Sequence, residues 1–373
     1  MTTVHDTRHE PRFVNKEKFG EIFALLRQRG YTVIGPTIQQ NAIVYAELRS
    51  VEELPRGWAD EQTPGKYRVE RRSCDVWFGF NVGSHSWKAF LFPPHTVLEK
   101  AESTDEGWQF TTVPDDPPKY AFLGVRACEL AAMRVQDRVF MSGAYVDPIY
   151  HARRGSALII AVNCTQAAST CFCTSMESGP ECTSGFDLAL TELSDGFVLE
   201  SATAEGAEIT AALTTEEVTI EQLQSAQHAR QQAVTQITRK LDTTDIRDTL
   251  LTNLTHPHWE TVAERCLSCA NCTMVCPTCF CSSVTEVSDL RGEHVRRERH
   301  WDSCFNVDFS YINGGNVRDS VRSRYRQWLT HKLASWIDQF DTSGCVGCGR
   351  CITWCPVGID LTEEVAAIRG ESP

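Results

Sequence analysis

The sequence predicts a mixed fold of the α+β class: an N-terminal α/β domain over residues 1–213, a helical connector over 214–258 and a mainly helical domain over 259–373. Three observations predict it. Strand-like and helix-like stretches alternate through the first 240 or so residues; a polar helical stretch rich in Gln, Thr and Ala runs from Thr214 to Leu254; and from Trp259 onward cysteines crowd the loops between helices. At 373 residues the chain is too long for one compact core, so two domains or more are the default.

Taken in order, Asn15 to Arg29 places Phe19, Ile22, Phe23, Leu25 and Leu26 on one helical stripe that ends at Gly30. Tyr31 to Ile34 and Ala42 to Leu48 read as short strands. Tyr120 to Val125 reads as a buried strand, Ala127 to Val139 as the helix after it, and Leu158 to Val162 as a second buried strand running into Cys164. A strand–helix–strand order of this kind predicts a partly parallel sheet. Pro257 closes the connector. Val317 to Phe340 is the clearest helix, with Val321, Tyr325, Trp328, Leu329, Leu333, Trp336, Ile337 and Phe340 recurring every three or four residues.

Composition excludes several classes. A net charge of −13 argues against nucleic acid as the main partner. The basic stretches Arg291 to Arg299 and Arg318 to Arg326 are interleaved with Glu293, Glu298 and Asp319 and read as solvated faces. The apolar run Ala157 to Val162 is far too short to span a bilayer, and the polar N-terminus shows no apolar export segment, so the expected location is the cytoplasm. No G-x-G-x-x-G follows a strand, and no Walker loop, HExxH or nucleophile elbow appears. No catalytic residue is predicted.

Seventeen cysteines are the outlying number. In a reducing compartment a disulfide framework does not account for them, which leaves metal or cluster ligation. Cys266-x2-Cys269-x2-Cys272-x3-Cys276-Pro277 and Cys345-x2-Cys348-x2-Cys351-x3-Cys355-Pro356 have identical spacing. Three thiolates two residues apart wrap the backbone around a cubane, and in two-cluster proteins the fourth, before proline, ligates the other cluster. By that rule one [4Fe–4S] cluster takes Cys266, Cys269, Cys272 and Cys355, and the second takes Cys345, Cys348, Cys351 and Cys276. Zinc also uses paired C-x2-C motifs, but needs only four ligands and leaves the third cysteine and the Cys-Pro of each run unexplained. The long segment between the runs resembles the helical two-cluster, ferredoxin-like domain of succinate dehydrogenase and heterodisulfide reductase subunits.

The tetrapeptide Thr278-Cys279-Phe280-Cys281 after the first run recurs as Thr170-Cys171-Phe172-Cys173. With Cys164 ending one strand and Cys128 at a strand–helix turn, Cys128, Cys164, Cys171 and Cys173 offer the ligands of a third [4Fe–4S] cluster. The competing reading is that they are small buried side chains, since no standard spacing supports the set. Cys182 is a spare candidate. Cys74, Cys279, Cys281 and Cys304 read as packing thiols near the clusters, and His256 and His258 as capping or solvent-exposed residues.

An ordered series of segments carries a wider resemblance: Gly124-Val125-Arg126-Ala127-Cys128-Glu129, Asp147 to Tyr150, Thr170 to Met176, Gly185 to Leu190, Cys272 to Cys281 and Gly344 to Leu361. Together they resemble the beta subunit of soluble NAD(P)-linked nickel–iron hydrogenases (sulfhydrogenases) and the related A subunit of anaerobic sulfite reductase. Ala127 departs from the proline expected in many relatives. The resemblance implies a non-catalytic subunit of a hetero-oligomeric oxidoreductase, relaying electrons between a flavin/NAD(P)-binding subunit and the hydrogenase small and large subunits. Sulfite reductase and a non-catalytic iron–sulfur scaffold or redox sensor are the alternatives.

Overall fold

The structure, a computed structural model, describes residues 9–112 and 117–370. Residues 1–8 of the polar N-terminal stretch lie outside the described residues. The N-terminal part is built on an eight-stranded sheet. Its four central strands, Leu188–Glu192, Leu158–Val162, Tyr120–Val125 and Thr32–Gln39, run parallel. Ala42–Glu47 closes one edge antiparallel, and Gly196–Ser201, Arg12–Asn15 and Glu216–Glu217 extend the other.

Leu158–Val162 is buried throughout because helices cover both faces, which is why it reads as an unbroken apolar run. Phe19, Ile22, Phe23 and Leu26 of the first helical stretch pack on one face with Ile209. Leu130 and Met133 of the helix Ala127–Met141 pack on the other with Tyr150 of Pro148–Gly155. The predicted first helix is broken at Gly20 into Lys16–Phe19 and Glu21–Gln28. Parallel strands have a functional consequence here: their carboxyl ends emerge on one side, and Arg126-Ala127-Cys128 and Cys164 lie there.

The connector contains the helices Ile220–Gln236 and Ile246–Thr252. Thr219 caps the first, its hydroxyl accepting from the Gln222 N–H while the Gln222 side chain reaches back to the Thr219 N–H. Beyond it, Trp259, Val262, Tyr325, Trp328, Leu329, Leu333, Leu361 and Val365 form a second core between helices. The long predicted helix begins at Val321 rather than Val317, because the Ser320 side chain accepts the Ser323 N–H as its cap. It is also interrupted by a π-helical turn over His331–Ser335. No helix among the described residues is long and apolar enough to cross a membrane.

One feature of this region is not helical. Ser282–Ser288 and His294–Trp301 form a hairpin that pairs with His95–Thr104 and Gly107–Thr112 in a four-stranded sheet, so the cysteine-dense region and the N-terminal region share backbone hydrogen bonds. The basic stretch 291–299 runs along this hairpin. Arg297 pairs with Glu286 at 2.8 Å on the solvated face as expected, whereas Arg299 turns inward to a bond with Asp147.

Candidate metal centre

The two cysteine runs have the same backbone. Ser268 and Ala270 stand two and four residues after Cys266 with φ of 49° and 64°; Gly347 and Gly349 stand two and four residues after Cys345 with φ of 63° and 74°. In each run the N–H two residues on donates to the first thiol at 3.4 Å, Ser268 to Cys266 Sγ and Gly347 to Cys345 Sγ. A four-residue helical turn follows in both, Asn271–Met274 and Arg350–Thr353. Equal spacing thus becomes equal shape, with the left-handed residues curling the chain so that the three thiols converge.

The fourth cysteine of each run lies beside the other run. Cys266, Cys269, Cys272 and Cys355 line one cavity. The Cys272 thiol is pushed well above its usual pKa by burial and then by the neighbouring sulfurs of Cys266, Cys355 and Cys269. The Cys351 thiol is raised in the same way, by burial and then by Cys345, Cys348 and Cys276. Among the described residues no three thiols have sulfurs all within 4.8 Å of one another. A tetrahedral zinc ion requires four sulfurs about 3.8 Å apart, from a Zn–S bond of about 2.3 Å. These sets are too open for one such ion.

Their inner walls are apolar and rich in donors, while Cys269 stands exposed at the rim of the first set. Tyr325 and Trp328 line the first cavity with Phe305, and the Tyr325 hydroxyl and Trp328 Nε1 are buried with no hydrogen-bond partner among the described residues. Two stranded donors beside four thiols suit a group that presents sulfur acceptors. Around the second set, the π-helical turn brings Lys332, only 3% exposed, to Cys276 Sγ at 3.3 Å, Thr278 Oγ1 at 3.2 Å and the Gly344 carbonyl at 3.1 Å. A hydrogen bond from Cys279, aided by Lys332 and Thr278, holds Cys276 well below the ordinary thiol range despite burial. A bond from Cys304 likewise lowers Cys281 to about 7. Cys279, Cys281 and Cys304 therefore sit against the cysteine runs as expected. Cys74 is instead exposed. His258 accepts no cluster role either; its Nε2 meets Glu364, while its N–H donates to His256 Nδ1 at 3.2 Å.

The N-terminal thiols also converge. Cys128, Cys164, Cys171 and Cys173 line a second cavity, together with Cys348 of the second run. Cys182 does not line it but lies near Cys164, with its N–H on Asn163 Oδ1 at 2.7 Å. The seam between this segment and the second run is tight. The Phe172 N–H donates to the Gly347 carbonyl at 2.9 Å, Thr170 and Thr353 hydroxyls bond at 2.9 Å, and the Ser178 hydroxyl donates to the Val346 carbonyl at 2.6 Å. Arg350, fully buried, donates to the Gly83 carbonyl at 2.9 Å and pairs with Glu129.

Comparison with known proteins agrees with this geometry. Residues 265–359 match the family described as a 4Fe-4S dicluster domain. The chain is also 27% identical to sulfhydrogenase 2 subunit beta of Pyrococcus furiosus over 359 residues, which cover 95% of this chain and 97% of that one. No solved structure matches. The protein is an iron–sulfur electron carrier with at least two [4Fe–4S] clusters, held in a 4Fe-4S dicluster domain, and it is similar over nearly its whole length to a sulfhydrogenase beta subunit.

Proposed function

We propose that the chain is the relay subunit of a hetero-oligomeric hydrogenase, passing electrons between a flavin/NAD(P)-binding subunit and a nickel–iron catalytic module. The observation that carries this reading is the crossed pair of thiol sets within a chain alike over 95% of its length to a sulfhydrogenase subunit. In it, Cys266, Cys269, Cys272 and Cys355 hold one cluster, and Cys345, Cys348, Cys351 and Cys276 hold the other. The clusters supply one-electron chemistry. The chain's own residues do the rest. Crossed ligation ties both runs into one unit, Tyr325, Trp328 and Trp336 exclude water, and Lys332 places a positive charge and a hydrogen bond on the Cys276 sulfur.

A pair of clusters suits a relay better than a sensor, which needs one labile cluster. Anaerobic purification of the native complex tests the proposal. Stoichiometric nickel and flavin with hydrogen-dependent NAD(P) reduction support it. Sirohaem in the complex assigns the chain to a sulfite reductase instead, and a lone chain with neither partner makes it a scaffold; either result overturns the hydrogenase reading.

A further inference from the structure

We infer that Cys128, Cys164, Cys171 and Cys173 hold a third [4Fe–4S] cluster, which abuts the second and extends the electron path into the N-terminal sheet. The inference rests on the paired-cluster reading, since its electrons are exchanged through the second cluster.

Three different pieces of chain deliver these thiols to one place. Cys128 stands in the first turn of the helix Ala127–Met141, directly after the parallel strand Tyr120–Val125. Cys164 stands two residues beyond the neighbouring strand Leu158–Val162. Cys171 and Cys173 come from the loop that follows. Convergence of side chains at the carboxyl ends of adjacent parallel strands is where such sheets build ligand sites. Here the four thiols line one cavity, as Cys266, Cys269, Cys272 and Cys355 line another.

The chemistry of the lining fits an anionic cluster. Arg126 lines the cavity, only 2% exposed, with its Nη2 anchored on the carbonyls of Phe78 and Phe80 at 2.8 and 2.9 Å. A buried guanidinium beside four sulfurs offsets the charge that thiolate ligation brings. The N-terminal end of the 15-residue helix carrying Cys128 adds a favourable dipole. Val82 and Ile237 add apolar wall. As at the paired runs, no three of these sulfurs lie within 4.8 Å of one another, so they are not set around a single tetrahedral zinc ion.

Position is the strongest argument. Cys348, from the second run, lines the same cavity, so the two sites share a wall. The seam is closed to water because glycines let the backbones touch. A Cβ on Gly347 would come within 2.7 Å of Cys173 Cα, and one on Gly349 within 2.4 Å of the Thr170 carbonyl oxygen. A cluster here leaves no gap in the path from the second cluster to the sheet.

The test is an anaerobic iron, sulfide and zinc determination on the full chain, repeated on Cys171→Ser and on Cys182→Ser as a buried control outside the cavity. The inference predicts about twelve irons per chain, about eight in Cys171→Ser and about twelve in Cys182→Ser. It also predicts that Cys171→Ser alters the electron paramagnetic resonance of the second cluster, whose magnetic neighbour is then gone. About eight irons in the wild type, or one zinc beside eight irons, overturns the third cluster and leaves the paired clusters standing. Fewer than eight overturns the underlying reading. If Cys171→Ser fails to fold, the wild-type count still decides.

Discussion

Lys332 Nζ lies 3.3 Å from Cys276 Sγ, a buried cation set on the sulfur of the first run that stands near Cys351 of the second. Burial by itself would drive this ammonium toward neutrality, but the sulfurs of Cys276, Cys279, Cys345 and Cys351 together raise its pKa well above the usual value. Lysine here therefore balances charge that the chain has concentrated in a dry region. A positive neighbour favours the more reduced, more negative cluster.

Lys332→Met is expected to lower the midpoint potential of the second cluster by about 100 mV, from Coulomb's law at a protein-like dielectric. A redox titration followed by electron paramagnetic resonance measures it. An unchanged potential contradicts the role given to Lys332. The same variant strips a buried charge of its partner and is expected to cost about 3–5 kcal/mol in denaturant unfolding.

Glu129 and Arg350 pair across the seam with side-chain exposures of 1% and 0%. Glu129 also accepts from the Tyr45 hydroxyl and from Trp87 Nε1, each at 2.9 Å. Glu129→Gln leaves the guanidinium uncompensated and is expected to destabilise by about 3–5 kcal/mol. Breaking the exposed Arg247–Asp338 pair by Arg247→Ala should cost less than about 1 kcal/mol. Equal effects of the two variants on the melting temperature would show that the seam pair has no special weight.

Gly347→Ala tests the seam itself. Its φ of 63° costs an L-residue about 1–2 kcal/mol, and the contact with Cys173 adds about 1–3 kcal/mol of overpacking. Gly314→Ala, at a left-handed glycine with nothing within 4 Å, carries only the backbone cost and is the control. The seam variant should unfold at clearly lower denaturant than the control. Matching midpoints would mean that the backbones part without penalty.

Removal of iron by a chelator should loosen both cysteine runs together, because crossed ligation makes each run part of the other's site. Hydrogen exchange is expected to accelerate over 266–281 and 345–359 while the central strands Tyr120–Val125 and Leu158–Val162 stay protected. Loss of protection in one run alone would contradict crossed ligation.

What could be read from the sequence was what is encoded locally. The two runs declare themselves because their geometry depends on spacing over eleven residues, and Leu158–Val162 because burial on both faces leaves an apolar run. The N-terminal thiols were legible as strand-end residues, and their meeting with Cys348 was not, since a seam between distant segments has no periodicity. Lys332 was read as one more helix residue; only the π-helical turn, which no repeat announces, swings it onto Cys276. Glu129 and Arg350, 221 residues apart, left no local trace. The hairpin Ser282–Trp301 was missed because its arginines and glutamates disguise the alternation of a mostly exposed strand pair.

The most direct test of the central claim is the iron and acid-labile sulfide content of the anaerobically purified full chain. The account predicts at least about eight of each per chain, held by the two crossed cysteine sets. A value near four, or stoichiometric zinc in place of iron, would contradict it.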